Sequence, residues 1–127
     1  MNEKILDSFH ELYHSKPDHL VRAPGRINLI GEHTDYNDGF VFPMAIDLDI
    51  RIALRPRTDK RVKVYSLNYQ KIAEFSLDSF DHAEDWSEYV RAIVWALKGE
   101  GYSPSGWEGV LAGDIPTGGG LSSSAAL

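Results

Sequence analysis

Between Ala23 and Pro43 the chain reads Ala-Pro-Gly-Arg-Ile-Asn-Leu-Ile-Gly-Glu-His-Thr-Asp-Tyr-Asn-Asp-Gly-Phe-Val-Phe-Pro, and no other stretch limits the possible folds so strongly. One cation (Arg26), one imidazole (His33) and three carboxylates (Glu32, Asp35, Asp38) stand there among three glycines. Ile27, Leu29 and Ile30 have the character of buried strand residues, so Glu32, His33 and Asp35 are expected to pass directly from a strand into a turn. A convergent polar pocket anchored on a rigid edge suits that order. An ion pair of Arg26 with Glu32 or Asp35 also accounts for the charges, but exposed pairs of that kind contribute only about 0–1 kcal/mol. His33 among carboxylates does not have the spacing of a zinc site.

At 127 residues the chain has the length of one domain, and it can bury about 65–70% of its unfolded surface. Its 43% apolar and 25% charged residues are those of a globular protein. Thirteen basic residues against nineteen acidic ones give a net charge of −6. The basic residues are dispersed, which argues against a nucleic-acid or anionic-membrane partner. Cysteine is absent, so there is neither a disulfide nor thiolate chemistry. Met1 to Leu6 lack a long apolar core of a leader, and no run approaches ~18 apolar residues. The default expectation is a soluble, cytoplasmic protein.

Residues 3–15 read as a helix with Ile5, Leu6, Phe9, Leu12 and Tyr13 at helical spacing, ended by Pro17. The segment contains His10-Glu11-Leu12-Tyr13-His14, a formal match to the zinc-protease pattern H-E-x-x-H. On a helical wheel the apolar side chains centre about 120° away from both histidines, which puts the pair on a solvated face rather than in a shielded cleft.

From Leu20 the pattern turns to strands. Leu48 to Arg55 alternates, with Leu48, Ile50, Ile52 and Leu54 on one face. Val62–Tyr65 and Ala73–Leu77 follow through short connections, which favour antiparallel neighbours. A second helix is expected over roughly 86–98, with Trp86, Tyr89, Val90, Ile93, Val94 and Leu97 as its apolar stripe. Trp86 and Trp95 are expected to pack. Trp107 to Asp114 reads as another strand, and the whole is an α+β plan.

That strand leads into Ile115-Pro116-Thr117-Gly118-Gly119-Gly120-Leu121-Ser122-Ser123-Ser124-Ala125-Ala126. Successive glycines let the backbone approach a ligand and adopt positive φ. Unpaired N–H groups at a following helix start can cradle a phosphate. The Gly-Lys-Ser/Thr ending of a Walker A loop is missing, as is G-x-G-x-x-G. A plain Gly/Ser linker is the competing reading. Leu121 to Leu127 opens a helix of about six residues, too short to be stable by itself, so the chain is expected to be the front part of something longer.

Taken together, the two segments point to a family. Gly25-Arg26-Ile27-Asn28-Leu29-Ile30-Gly31-Glu32-His33-Thr34-Asp35-Tyr36, with Gly39 and Pro43 behind it, resembles the galactokinase signature. Ile115 to Ala125 is similar to the ATP-binding motif of the GHMP kinases. The resemblance implies the N-terminal part of a GHMP-kinase fold (ribosomal protein S5 domain 2-like): a mixed, mostly antiparallel sheet with helices packed on it. Residues 1–127 would be the galactose- and ATP-binding region, without the C-terminal domain. It further implies phosphorylation of the C1 hydroxyl of galactose by ATP with Mg2+. By this resemblance Glu32, His33, Thr34 and Asp35 contact the sugar, and Arg26 stabilises the transferring phosphoryl group. Gly118, Gly119, Gly120, Leu121, Ser122, Ser123 and Ser124 surround the ATP phosphates, Ser124 also binds the metal, and Ser66 and Trp86 contact the adenosine. For Trp86 a role in the core stands equally beside that.

The family's downstream catalytic aspartate and second acidic metal ligand have no counterpart in residues 1–127, so the chain alone is expected to be inactive. An incomplete sheet leaves unpaired edges that favour self-association. Competing readings are a galactose- and ATP-binding sensor on the same scaffold, an N-acetylgalactosamine kinase, and a small zinc protease.

Overall fold

Ile5, Phe9 and Tyr13 recur every fourth residue, and helix α1 (Asn2–Tyr13) forms around that stripe. It stops where His14 turns left-handed (φ 50°) and its N–H donates to the His10 carbonyl at 2.8 Å. The computed structural model describes residues 1–127. After α1 come β1 (His19–Asn28), α2 (Glu32–Asp35), β2 (Pro43–Pro56), β3 (Arg61–Ser66), β4 (Lys71–Ser76), α3 (Ser87–Gly99), β5 (Trp107–Gly113) and α4 (Ser123–Ala126). The strands form one sheet in the order β1-β2-β5-β3-β4. The β3–β4 pair is an antiparallel hairpin with Val62 opposite Phe75 and Val64 opposite Ala73. The β3–β5 pair is parallel, with Val62 opposite Trp107. Parallel neighbours need a crossover connection, and α3 supplies it. The sheet is therefore mixed, as expected.

Two compact units share these elements. The first comprises Met1–Val21 and Arg51–Ala112. Its core joins Ile5 and Phe9 of α1 to Ala53, Val110 and Ala112, with Tyr13, Tyr65 and Leu67 packed against them. Tyr65 faces α1, so the alternate residues Val62 and Val64, with their partners Phe75 and Ala73, face the opposite side. There Arg91 of α3 lies 4.4 Å above the Phe75 ring, and Lys98 Nζ donates to the Leu77 carbonyl at 2.5 Å. The sheet of this unit is thus covered by a helix on each face.

Glu108 is 5% exposed and sits between two arginines. It accepts from Arg55 Nε at 2.6 Å and from Arg57 Nη1 at 2.6 Å. Arg57 also grips Asp59 at 2.8 and 2.6 Å. That hydrogen bond is the main cause of the depressed Asp59 pKa, which falls to about 2.

Tyr13 places its hydroxyl 3.3 Å from the Lys63 carbonyl and 3.2 Å from that of Gly109. Burial, and next the Glu108 charge, push its pKa up to about 12 from an ordinary value of 10.0. Because the folded value is the higher one, the stabilisation is complete below pH 10 and is lost as pH rises towards 12. Tyrosinate absorbance during alkaline titration is expected to show one late-ionising tyrosine that titrates together with loss of structure. Ionisation of every tyrosine near pH 10 would contradict it.

The second unit comprises Arg22–Ile50 and Gly113–Leu127. Here Asp49 is 2% exposed; Arg22 Nε donates to its carboxylate, and its N–H donates to Asp114 Oδ1 at 2.7 Å. The Asp114 N–H returns a bond to the Asp49 carbonyl at 3.1 Å, which ties the end of β5 to β2.

Several expectations require correction. β2 starts at Pro43 rather than Leu48, and its fully buried positions are Asp49 and Ala53, not the four aliphatic residues, which are only half-buried. Ala53 is small enough to admit Phe9, and the Asp49 charge is neutralised by Arg22, so the apolar face of the alternation is not the most enclosed one. Leu29 is 50% and Ile30 74% exposed, because β1 ends at Asn28 and the chain leaves the sheet there. Trp95 is 72% exposed, since Trp86, Val90 and Val94 form the covered stripe and Trp95 lies about 100° round from Val94. His10 and His14 are both exposed, and His14 has left the helical conformation, so the pair does not share the helix face that the zinc pattern requires. No helix is long and apolar enough to cross a membrane.

Candidate active site

In the second unit β1 and the glycine-serine loop are hydrogen-bonded to each other. The Arg26 N–H donates to the Leu121 carbonyl at 3.0 Å, and Ser122 Oγ donates to the Arg26 carbonyl at 3.3 Å. Gly25 makes the approach possible: a Cβ there would stand 2.9 Å from the Leu121 oxygen and 3.1 Å from Ile46 Cδ1. The loop itself bends through left-handed residues at Gly118 (φ 77°), Gly120 (φ 70°) and Ser122 (φ 62°). Beside Gly118 and Gly120 the space is open, with no atom within 4 Å of where a side chain would begin. A rigid strand thus holds one flank of a loop whose glycines face free volume, the arrangement a bulky anion requires.

Two residues further along β1, about 7 Å on, Asn28 faces the same side as Arg26. Its Nδ2 lies 3.5 Å from Asp35 Oδ2, at the limit of a hydrogen bond, and its Oδ1 is buried without a partner. Asp35 closes the one-turn helix α2, entered through Gly31 (φ 102°), and Glu32, His33 and Asp35 are all exposed on it. His33 Nδ1 is 2.7 Å from the Tyr36 hydroxyl. Thr34 is differently occupied. Its hydroxyl lies 2.7 Å from the Phe40 carbonyl and 3.1 Å from that of Gly31, so it closes the loop rather than pointing a free donor outward. Gly39 lies tight against Thr34, where a Cβ would come within 2.5 Å of the Thr34 Cβ.

Arg26, Glu32, His33, Asp35 and residues 118–124 therefore all belong to one unit, with β1 carrying a link to each segment. Ser66 and Trp86 belong to the other unit. Ser66 is fully buried at the end of β3, where its Oγ accepts from the Tyr69 N–H at 3.4 Å, so its side chain shapes a turn and offers no surface to adenosine. Trp86 is 7% exposed and stacks parallel to Tyr69 at 6.0 Å, the packing role weighed for it from the sequence; its Nε1–H is buried and unpaired. Ser124 is exposed on α4, and no group of three or more His, Asp or Glu side chains gathers in residues 1–127. Magnesium favours one or two carboxylates together with substrate phosphates, so these residues alone do not fit a magnesium site.

Asn28, Tyr36 and Gly25 were not singled out from the sequence. A period of two along β1 from Arg26 reaches Asn28, which is the signal that would have found it.

A mixed sheet with a helix on each face and a glycine-serine loop braced on the strand of a polar signature is the fold of the GHMP kinases. The Methanococcus jannaschii mevalonate kinase superposes on it with a TM-score of 0.68 at 23% identity, over 85% of this chain and 36% of that one. Within that fold, the sequence of this chain is similar to those of galactokinases. Residues 7–56 match the galactokinase galactose-binding signature. The galactokinase of Roseiflexus sp. (strain RS-1) is 48% identical over 125 residues, which is 98% of this chain and 32% of the relative. The Lactococcus lactis galactokinase, whose crystal structure was determined in complex with galactose, has a TM-score of 0.85 at 44% identity, over 95% of this chain and 33% of that one. The chain thus spans about a third of the length of the galactokinases it matches.

Proposed function

We propose that the chain carries the galactose-binding and ATP-phosphate-binding part of a cytoplasmic galactokinase. The reaction joins the C1 oxygen of galactose to the γ-phosphorus of ATP, breaks the bond to the β-phosphate oxygen, and releases ADP and the hydroxyl proton. The observation that carries the proposal is the pairing of Arg26 with Leu121 and Ser122, which joins the sugar signature to the phosphate loop. Phosphoryl transfer depends chiefly on positioning and on electrostatic stabilisation of the equatorial oxygens. Arg26 provides positive charge beside the loop, and the N–H groups of residues 118–124 supply donors to the phosphates. Ser124 is the residue of this chain that would offer a hydroxyl to a magnesium ion bound with ATP, whose charge would offset that of the phosphates.

Glu32, His33 and Asp35 hydrogen-bond the sugar hydroxyls in this proposal. A carboxylate accepting from a hydroxyl gains about 1.5–3 kcal/mol, and an epimer that moves the hydroxyl leaves the group unpaired. Asp35→Ala is expected to weaken galactose binding in the complete enzyme by one to two powers of ten, at ~1.4 kcal/mol per tenfold. Isothermal titration with galactose measures this, and unchanged affinity would remove Asp35 from the site.

Galactose-dependent ADP release by the complete protein, with galactose 1-phosphate identified by phosphorus NMR, tests the proposal as a whole. A protein that binds galactose yet forms no phosphorylated sugar would be a sensor instead. Residues 1–127 expressed by themselves are expected to show no galactose-dependent ADP release and to self-associate in light scattering. Robust turnover by that fragment would show that the catalytic base lies within it.

A further inference from the structure

We propose that the cavity between the 80–82 segment and helix α3 is a second small-ligand site, for a neutral pyranose. The cavity holds about 460 Å³, within the range of small-molecule sites. It belongs wholly to the unit made of residues 1–21 and 51–112, and nothing in the galactokinase reaction proposed above uses it.

Its walls are of two kinds. Phe80 and Trp95 supply flat apolar surface, and the Trp95 indole is 72% exposed although it is the largest side chain type available to a core. The opposing groups are polar and of both hydrogen-bonding senses. Glu88 is already committed: its Oε2 accepts from the Ala83 N–H at 2.7 Å and its Oε1 lies 2.7 Å from His82 Nδ1. That contact fixes the His82 ring, which is otherwise 98% exposed, and leaves Nε2 facing outward. Arg91, stacked over Phe75, has spare donor capacity at its terminal nitrogens, where Nη1 makes a single long bond to the Asp81 carbonyl at 3.4 Å, while its Nε is buried. The exposed Asp81 carboxylate adds an acceptor.

These groups select the ligand. A phosphate would meet Asp81 and Glu88, and an ammonium would meet Arg91; each leaves a like charge facing it. A sugar hydroxyl both donates and accepts, so it can accept from Arg91 while a neighbour donates to the Asp81 carboxylate. The C–H face of a pyranose is flat and apolar, and it matches the bare indole.

The probes are methyl β-D-glucopyranoside and methyl β-D-galactopyranoside, whose C1 oxygen is blocked and which cannot be phosphorylated there. Nitrogen-15 NMR of the complete protein follows the Trp95 Nε1–H, assigned from a Trp95→Phe sample. The expected result is a saturable shift of that resonance that persists in Asp35→Ala, with affinity about tenfold weaker in Asp81→Asn; in Trp95→Ala, which lacks that signal, the backbone amide shifts of Arg91 and Ala92 should report affinity about tenfold weaker. Both substituted residues are exposed, so the fold is retained. A Trp95 resonance that does not move overturns the proposal. So does one that moves only with inorganic phosphate or benzyltrimethylammonium. Glycosides that shift residues 26–36 but leave Trp95 still would also overturn it while upholding the signature site, so the two failures are distinguishable.

Discussion

Replacing Arg26 by alanine is expected to lower kcat of the complete enzyme by about 10²–10³, the usual cost of one preorganised charge or donor aimed at a developing oxyanion. Galactose affinity should change little, because in the role proposed for it the guanidinium acts on the phosphoryl group as it moves and not on the ground-state sugar. The backbone of Arg26 is held by Leu121 and Ser122 independently of its side chain, so the strand and the loop should keep their places in the variant. Arg26→Lys separates charge from shape: a lysine restores the charge as a point source but not the planar fork, so it should recover only part of the rate. Steady-state kinetics with galactose and ATP varied in turn decides the matter. A variant in which only the galactose KM rises would make Arg26 a sugar ligand, and the role given to it here would be wrong.

The two motifs were legible because their chemistry is local. Gly25, Gly31 and the glycines at 118 and 120 are required by close approach or by positive φ, and such backbone demands are written into residue type. The presence of helices α1 and α3 was legible from apolar residues three or four apart, but not which of them are covered: Leu6 and Leu12 of α1 and Tyr89, Ile93 and Leu97 of α3 are exposed. What could not be read depends on partners distant in sequence. Asp49 is polar by identity and buried by circumstance, because Arg22 and Asp114 converge on it from 27 and 65 residues away. Leu29 and Ile30 look like strand residues, yet whether they are covered depends on where β1 ends and not on their own apolarity. Ser66 and Thr34 show the converse. Both are hydroxyls at positions a family motif marks for ligands, and both are engaged by backbone groups of their own turns. The order of strands was equally hidden: short connections correctly suggested the β3–β4 hairpin but wrongly made β2 and β3 neighbours, because β5, returning parallel to β3 through the α3 crossover, lies between them.

The largest expected effect on stability lies outside the site, at Glu108. It is 5% exposed between Arg55 and Arg57, whose side chains keep 32% and 27% of their own exposure. Removing one member of a buried charged set costs about 3–5 kcal/mol, chiefly because the surviving charges stay desolvated. Here the arginines can turn partly outward and Arg57 keeps Asp59, which places Glu108→Gln at the lower end, about 3 kcal/mol. Amide exchange at Val110 and Tyr65, beside this cluster, should then accelerate by on the order of a hundredfold. A second readout separates charge from packing. The Glu108 charge is the second cause, after burial, of the raised Tyr13 pKa, so Glu108→Gln should bring that value down from about 12. Replacing Arg55, Arg57 and Glu108 together by aliphatic residues of similar volume removes the desolvation cost along with the attraction, and should recover most of the lost protection. If Glu108→Gln alone changes exchange by less than about fivefold, near 1 kcal/mol, the cluster contributes no more than an exposed ion pair, and the covered face between α1 and the sheet owes its stability to Ile5, Phe9, Ala53 and Val110 alone.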